Sequence, residues 1–205
     1  MPEQSQFPRL GANVPQRGFS YSRPFWKKVV QVQGWTVIGE VPNIPKAVLI
    51  GAPHTSNFDA VIGVQVLVAL GLELHIMAKS ELYRPPFRPL LDWIKMIPVD
   101  RRSAQGLVDQ MRDVFHKRAK FWLGIAPEGT RDSAETWKSG FYRIACAVNV
   151  PIVMVGFDYS NKAVIFLGVF EPTGDFDVDL PKILAFYKGL KGGNPDQLSL
   201  PLRNL

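Results

Sequence analysis

The sequence contains a single cysteine, Cys146, and only three histidines. One cysteine excludes an intramolecular disulfide, so we expect the chain to work in a reducing compartment. Cys146 lies in an apolar run, where we expect it to be a buried helix residue and not a nucleophile. His75 falls in a predicted strand and His116 on a predicted helix, and neither has a second histidine or cysteine at ligand spacing. We therefore predict no metal site.

A hydrophobic run of membrane-spanning length is also lacking. The longest stretch without a charged residue, residues 144–157, contains Pro151 and falls short of the roughly 20 apolar residues that cross a bilayer. Residues 1–5 lack the basic and then apolar pattern of a signal peptide. We expect a cytoplasmic protein that does not span a membrane but lies against the inner face of one.

Two segments combine basic and aromatic side chains in a way that suits a lipid interface. Residues 17–28 interleave such side chains, and residues 83–93 carry Arg, Phe, Leu and Trp around three prolines. Each segment has a second interpretation. The first can be an N-terminal helix that docks Phe25 and Trp26 on the domain, and the second an irregular helix that packs its Leu and Trp on the sheet.

Acidic residues are fewer than basic ones, 18 against 24, which leaves a net charge of +6. A basic protein favours anionic partners, such as phosphorylated small molecules, an acidic carrier protein, a lipid surface or nucleic acid. Only the positive net charge favours a nucleic-acid partner, because no helix-turn-helix, zinc-finger or ribonucleoprotein motif is visible. We therefore expect no nucleic-acid partner.

The alternation of apolar segments predicts one α/β domain, with a mostly parallel central sheet and helices on both faces. The predicted strands are residues 34–40, 47–52, 73–78, 96–100, 121–126, 151–157 and 163–169. The predicted helices are residues 57–70, 80–94, 103–119 and 139–149. Repeats and linkers are not evident. The domain is therefore expected to cover 23–187, between a poorly ordered lead-in, 1–22, and a C-terminal extension of uncertain order, 188–205.

The segment from His54 to Asp59 joins the second predicted strand to the first predicted helix. Ser56 and Asp59 have the spacing of a capping box, so the helix is expected to begin beside His54. A carboxylate that bonds one imidazole nitrogen fixes the tautomer and raises the basicity of the other, which makes a general base. The alternative is that Asp59 only caps the helix and that His54 is a polar loop residue.

Further polar residues follow the ends of predicted strands. Lys79 follows 73–78, Arg101 follows Asp100, and a Glu-Gly-Thr-Arg segment that ends at Arg131 follows 121–126. Ligands of open α/β sheets bind outside the carboxyl ends of the strands, so we expect these residues on one rim with the histidine. There Lys79, Arg101 and Arg131 would hold a phosphate. Taken singly, each is more often a solvated surface charge.

Four segments in this order resemble the motifs of the glycerolipid acyltransferases, the superfamily of the 1-acylglycerol-3-phosphate (lysophosphatidate) acyltransferases. They are the H-x4-D segment from His54 to Asp59, then residues 97–101, 126–131 and 150–152. The resemblance covers roughly residues 34–157. It implies transfer of an acyl group from acyl-CoA or acyl-acyl-carrier protein to a hydroxyl of a glycerolipid precursor such as 1-acylglycerol-3-phosphate, with no further cofactor.

The resemblance also implies residue roles. His54 would be the general base and Asp59 its orienting partner. The predicted residues for binding the phosphorylated acceptor are Lys79, Arg101, Glu128, Gly129, Thr130 and Arg131. A thiolate leaves readily, so neither a strong general acid nor a covalent acyl-enzyme is required. Backbone N–H groups after the second strand or near Gly129 are candidate donors to the tetrahedral oxyanion.

Two other classes of function stay open. A thioesterase would use a similar donor site with water as the nucleophile. A non-catalytic module that binds phosphate or lipid would need no pair formed by His54 and Asp59, so its binding would be insensitive to both residues.

Overall fold

The structure, a computed structural model, describes residues 7–18, 21–79, 83–99, 104–130 and 133–205. The described residues form seven strands: β1 (Thr36–Ile38), β2 (Lys46–Ala52), β3 (Leu74–Lys79), β4 (Met96–Val99), β5 (Phe121–Ile125), β6 (Ile152–Asp158) and β7 (Ala163–Phe170). Their helices are α1 (Arg23–Val32), α2 (Asn57–Leu70), α3 (Arg88–Ile94), α4 (Ala104–His116), α5 (Gly140–Val148), α6 (Phe176–Ala185) and α7 (Leu200–Arg203), with a 3₁₀ turn at Pro195–Gln197.

The strands form one sheet in the order β1-β7-β6-β2-β5-β3-β4. The five strands from β6 to β4 are parallel, whereas β7 pairs antiparallel with β6 and β1 pairs parallel with β7. The predicted mostly parallel sheet is therefore confirmed. Because the carboxyl ends of parallel strands share one edge, β2, β3, β4, β5 and β6 all end at the edge where ligands of such folds bind.

Helices cover both faces of the sheet, as predicted. On one face, Val30 of α1 and Ile62 and Val66 of α2 join a buried apolar cluster. On the other face, Met111 of α4 and Ile144 of α5 join a second cluster. The central strands β2 and β6 are buried along nearly all of their length, which explains why their sequences are continuous apolar runs. Asp59 lies in the first turn of α2 and is therefore on the same face of the sheet as α1 and α2.

Local sequence signals fix the ends of α2. The helix begins after Ser56 and ends at Gly71, whose φ of 74° lies in the left-handed region that glycine adopts without strain. None of the helices in the described part of the chain combines the length and hydropathy needed to cross a bilayer.

The prediction that Cys146 is buried is wrong. Cys146 lies on α5 but is exposed. The buried stripe of α5 runs through Phe141, Ile144 and Ala145, and Cys146 lies one position, or about 100°, farther round the helix.

The two terminal segments contact the domain where the structure describes them. Phe7 and Val14 are buried in the first apolar cluster, and the Leu200 N–H donates to the Ala134 carbonyl at 2.8 Å. Of the aromatic residues near the N-terminus, Trp26 packs against the core, whereas Phe25 is largely exposed. The boundaries proposed at residues 22 and 187 stay a prediction.

Candidate active site

The turn between β2 and α2 carries the H-x4-D segment to the middle of the sheet edge, because β2 lies between β6 and β5. Ser56 is the N-cap of α2, and its Oγ accepts the Phe58 N–H at 3.1 Å. Asp59 completes a capping box, since its Oδ2 accepts the Ser56 N–H at 2.7 Å. The helix therefore begins where the sequence pattern predicts it, and the cap brings Asp59 back towards His54.

His54 and Asp59 are neighbours in space. Nδ1 of His54 lies 3.4 Å from Oδ2 of Asp59, a distance somewhat longer than a good hydrogen bond, as is common in sites without substrate. Asp59 is 1% exposed, whereas the side chain of His54 is 17% exposed. Because the carboxylate faces Nδ1, that nitrogen carries the proton and Nε2 is the one that can accept a proton from a ligand. The arrangement has the geometry of a general base.

Asp59 is surrounded by hydrogen-bond donors. Its Oδ2 accepts the Thr55 and Ser56 N–H groups, both at 2.7 Å, and its Oδ1 accepts the Ser56 hydroxyl at 3.1 Å and the hydroxyl of Tyr159. Burial alone raises the pKa of Asp59, but the hydrogen bonds from His54, Tyr159 and Ser56 outweigh burial and lower the pKa below its usual value. Asp59 is therefore a carboxylate at neutral pH, and its negative charge can stabilise a protonated His54.

Glu128, which begins the Glu-Gly-Thr-Arg segment after β5, is 2% exposed. Its Oε2 accepts the His54 N–H at 2.8 Å, and its Oε1 accepts the Ser199 hydroxyl at 3.1 Å. Burial raises the pKa of Glu128 in spite of these two hydrogen bonds. Both carboxylate oxygens are thus used inside the protein, Oε2 by the main chain of His54 and Oε1 by the hydroxyl of Ser199. This observation favours a positioning role for Glu128 over direct contact with the acceptor.

Replacement of Glu128 separates these two roles. Glu128→Gln should keep stability and most of the turnover, because the amide oxygen can accept the His54 N–H while the amide nitrogen donates to the Ser199 hydroxyl. The amide cannot ionise. Glu128→Gln therefore also removes the loss of folding free energy that ionisation of the buried Glu128, with its raised pKa, causes at neutral pH. Glu128→Ala should cost about 1–3 kcal/mol of unfolding free energy and should lower turnover, because it leaves the buried partners unpaired.

Melting temperatures and turnover numbers of the two variants are the measurements. A folded Glu128→Gln protein as inactive as Glu128→Ala would mean that the charge acts on a substrate, as the resemblance implies, and that the positioning role is secondary.

Residues 191–200, which we call the C-terminal strap, form hydrogen bonds to the turn between β2 and α2 and to Glu128. The Asn194 N–H donates to Thr55 Oγ1 at 3.1 Å, and Ser199 bridges Glu128 and the indole N–H of Trp137, which donates to Ser199 Oγ at 3.2 Å. Sequence reasoning missed the strap and Tyr159, because both are far along the chain from His54 and neither carries a recognisable motif.

The remaining predicted site residues stand as follows. Gly129 follows Glu128 with a φ of 68°, a left-handed conformation that favours glycine, and a Cβ there would meet the Lys138 side chain at 2.8 Å. Thr130 comes next and is half-buried. β3 ends at Lys79 beside β4, but the side chain of Lys79 and the whole of Arg101 and Arg131 lie outside the described residues. The phosphate-binding role of the three cations stays a prediction.

Four of the candidate oxyanion donors already have a hydrogen-bond partner inside the protein. The N–H groups of His54, Thr55 and Ser56 already donate to the carboxylates of Glu128 and Asp59, and the Gly129 N–H donates to the Ala126 carbonyl. These four N–H groups fix the turn itself, and an oxyanion donor among the other backbone N–H groups of the two stretches stays a prediction. Across the described ranges, no cluster of three or more His, Cys, Asp or Glu side chains is placed to hold a metal ion.

Residues 35–158, which are more than half of the chain, match the family model described as Acyltransferase. The chain belongs to the acyltransferase family. The resemblance drawn from the four ordered motifs is thereby confirmed at the level of the family. The matched segment of this acyltransferase contains β1 to β6, the His54–Asp59 pair and Glu128.

A solved structure supports the fold. The crystal structure of the 1-acyl-sn-glycerophosphate (LPA) acyltransferase PlsC from Thermotoga maritima is similar to this acyltransferase, with a TM-score of 0.53 and 16% sequence identity, over 75% of this chain and 68% of that one. At this identity the likeness shows a shared α/β fold. A comparison with curated protein sequences gives no significant match.

Proposed function

We propose that this acyltransferase moves a fatty acyl group from a thioester, acyl-CoA or acyl-acyl-carrier protein, to a hydroxyl of a phosphorylated glycerolipid precursor such as 1-acylglycerol-3-phosphate. The observation that carries the proposal is the pairing of His54 Nδ1 with the buried carboxylate of Asp59, 3.4 Å away, at the carboxyl end of the central strand β2. The acyltransferase family, the similarity to PlsC and the net charge of +6 support an anionic, lipid-like acceptor.

The mechanism follows from this geometry. His54 Nε2 takes the proton of the acceptor hydroxyl as its oxygen attacks the thioester carbonyl, and Asp59 stabilises the imidazolium that forms. The tetrahedral intermediate collapses by breaking the carbon–sulfur bond, and the proton on His54 passes to the departing thiolate. A thiol pKa of roughly 8–9 makes the thiolate a good leaving group, so proton transfer need not run ahead of bond cleavage.

Contact with a membrane surface is part of the proposal, because both the acceptor and the product are lipids. Large apolar side chains are exposed in or next to α1, α2 and α3: Tyr21, Phe25, Phe58, Val61, Phe87, Leu90 and Trp93. Phe58 flanks Asp59 in the first turn of α2. Buried Arg17 links the end of α2 to α3, since its N–H donates to the Gly71 carbonyl and its guanidinium donates to the Trp93 carbonyl. The exposed Phe58 and Val61 lie in the first turns of α2, so a lipid bound there would be next to the turn that carries His54.

An acceptor screen tests the proposed function. Purified protein is given a long-chain acyl-CoA or acyl-acyl-carrier protein, and free thiol is followed with 1-acylglycerol-3-phosphate, glycerol 3-phosphate or an unphosphorylated monoacylglycerol. Thiol release should depend on the acceptor and should be fastest with a phosphorylated one. Equal release without any acceptor would identify a thioesterase instead, and a lack of stimulation by every acceptor with both donors would contradict acyl transfer.

A further inference from the structure

Tyr159 lies directly after β6 and reaches Asp59 from across the sheet edge. Its hydroxyl donates to Oδ1, the carboxylate oxygen that does not face His54. Its ring stands edge-on against Trp35, with ring centroids 5.0 Å apart and planes at 89°, and its N–H donates to the Lys191 carbonyl at 2.9 Å. The hydroxyl is therefore aimed at Asp59 by a packed ring and by the C-terminal strap.

The two oxygens of Asp59 have different tasks. Oδ2 accepts the two N–H groups of the turn and faces His54, whereas Oδ1 accepts only hydroxyl donors, those of Ser56 and Tyr159. The carboxylate of an aspartate can rotate about χ2, because the energy changes little over a broad range of this angle. Such a rotation would turn Oδ2 away from His54. A donor fixed on Oδ1 by a rigid ring opposes that rotation.

We propose that Tyr159 is a positioning residue for the catalytic pair: its hydroxyl holds the Asp59 carboxylate so that Oδ2 faces His54. The proposal rests on the general-base role of His54 in the proposed function. Burial and the hydrogen bond to Asp59 raise the pKa of Tyr159 to about 12, so the hydroxyl stays a donor throughout the working pH range. Among the described residues, the titratable groups that interact with His54 are Asp59 from α2 and Glu128 after β5, and Tyr159 after β6 acts on His54 through Asp59.

The test uses Tyr159→Phe, which removes the hydroxyl and keeps the ring on Trp35. We expect kcat to fall about tenfold, the value of one hydrogen bond to a charged group, while KM for donor and acceptor changes little. Without the hydroxyl, the carboxylate can rotate and turn Oδ2 away from His54, so the protonated imidazole is less well stabilised. The acidic limb of the pH–rate profile should therefore move to lower pH.

A matched control is Tyr142→Phe. Tyr142 also donates its hydroxyl to a buried aspartate, Asp179, at 2.7 Å, but it packs on α5 against the opposite face of the sheet. Tyr142→Phe should lower the melting temperature at least as much as Tyr159→Phe does, because it loses this buried hydrogen bond and leaves the Gly174 N–H, which donates to the Tyr142 hydroxyl at 2.8 Å, without its partner. It should leave kcat and the pH profile unchanged, so a general loss of stability cannot produce the expected result.

A second readout does not depend on activity. In ¹⁵N-histidine NMR spectra, the His54 signal is assigned by its loss in His54→Ala, and its titration midpoint is compared between wild type and Tyr159→Phe. A shift to lower pH supports the positioning role even if the acceptor screen fails and the proposed function falls. A midpoint and a kcat that both match wild type would overturn the proposal, whatever the acceptor proves to be.

Discussion

Replacement of His54 by alanine is expected to lower kcat by roughly 10²–10⁴-fold, the usual contribution of a general base. Asp59 would lose the group it orients, and the acceptor hydroxyl would have to attack with its proton still in place. Stability should change little, because His54 is partly exposed and its side chain contributes little to either apolar cluster. The backbone N–H that donates to Glu128 is retained in alanine, so the turn should keep its shape.

Turnover and melting temperature of purified His54→Ala are the measurements, and His116→Ala is the control. His116 lies exposed at the end of α4, so its replacement tests a histidine of this chain that has no part in the site. A folded His54→Ala protein that retains most of its acceptor-dependent turnover would show that another group removes the proton. The alternative of a polar loop histidine would then be correct.

The sequence predicts the parts of the site that local patterns determine. The apolar run of β2 and the capping box of Ser56 and Asp59 each depend on neighbours within a few residues, and each lies where it was predicted. The helix that follows also covers the predicted residues 57–70, and the left-handed Gly71 comes directly after its last residue. The parallel pairing of the central strands could also be predicted, because strands of parallel sheets are buried on both faces and therefore have continuous apolar sequences. His54 and Asp59 are therefore brought together by one turn that sequence alone can place.

The parts that sequence reasoning missed depend on distant pairs. Tyr159 is 100 positions from Asp59, and Ser199 is 71 positions from Glu128. A tyrosine after a strand or a serine near the C-terminus has no local pattern that distinguishes it from a surface residue. The role of Glu128 was predicted from its motif as contact with the acceptor, but the motif does not tell which way the carboxylate points. Only the packing of three segments around the turn decides that question.

Replacement of Asp59 by asparagine has the second large expected effect. The amide oxygen can still accept the Thr55 and Ser56 N–H groups, while the amide nitrogen takes the place of Oδ1 and donates to the hydroxyls of Ser56 and Tyr159. The cap of α2 should therefore survive. The negative charge beside His54 is lost, so the imidazolium that forms during attack is no longer stabilised. We expect kcat to fall roughly 10²–10⁴-fold, as for the loss of the base itself.

The pH dependence of stability gives an independent check on the charge of Asp59. Burial raises the pKa of Asp59, but hydrogen bonds from His54, Tyr159 and Ser56 bring it below its usual value. An acid whose pKa is lower in the folded state stabilises the protein above its unfolded pKa and loses that contribution as the pH falls through the folded pKa. Wild type should lose this contribution on acidification, whereas Asp59→Asn lacks it at every pH. The two stability curves should converge as the pH falls.

Capping and catalysis predict different outcomes for this one variant. If Asp59 only caps α2, Asp59→Asn keeps the cap and turnover should stay close to wild type. If Asp59 orients the general base and stabilises its protonated form, the variant should fold and be nearly inactive, and its melting temperature at neutral pH should fall only by the contribution of the lost charge. Far-UV circular dichroism and the acceptor-dependent assay on the same preparation distinguish the two, because a folded and inactive protein can result only from the loss of the carboxylate beside His54.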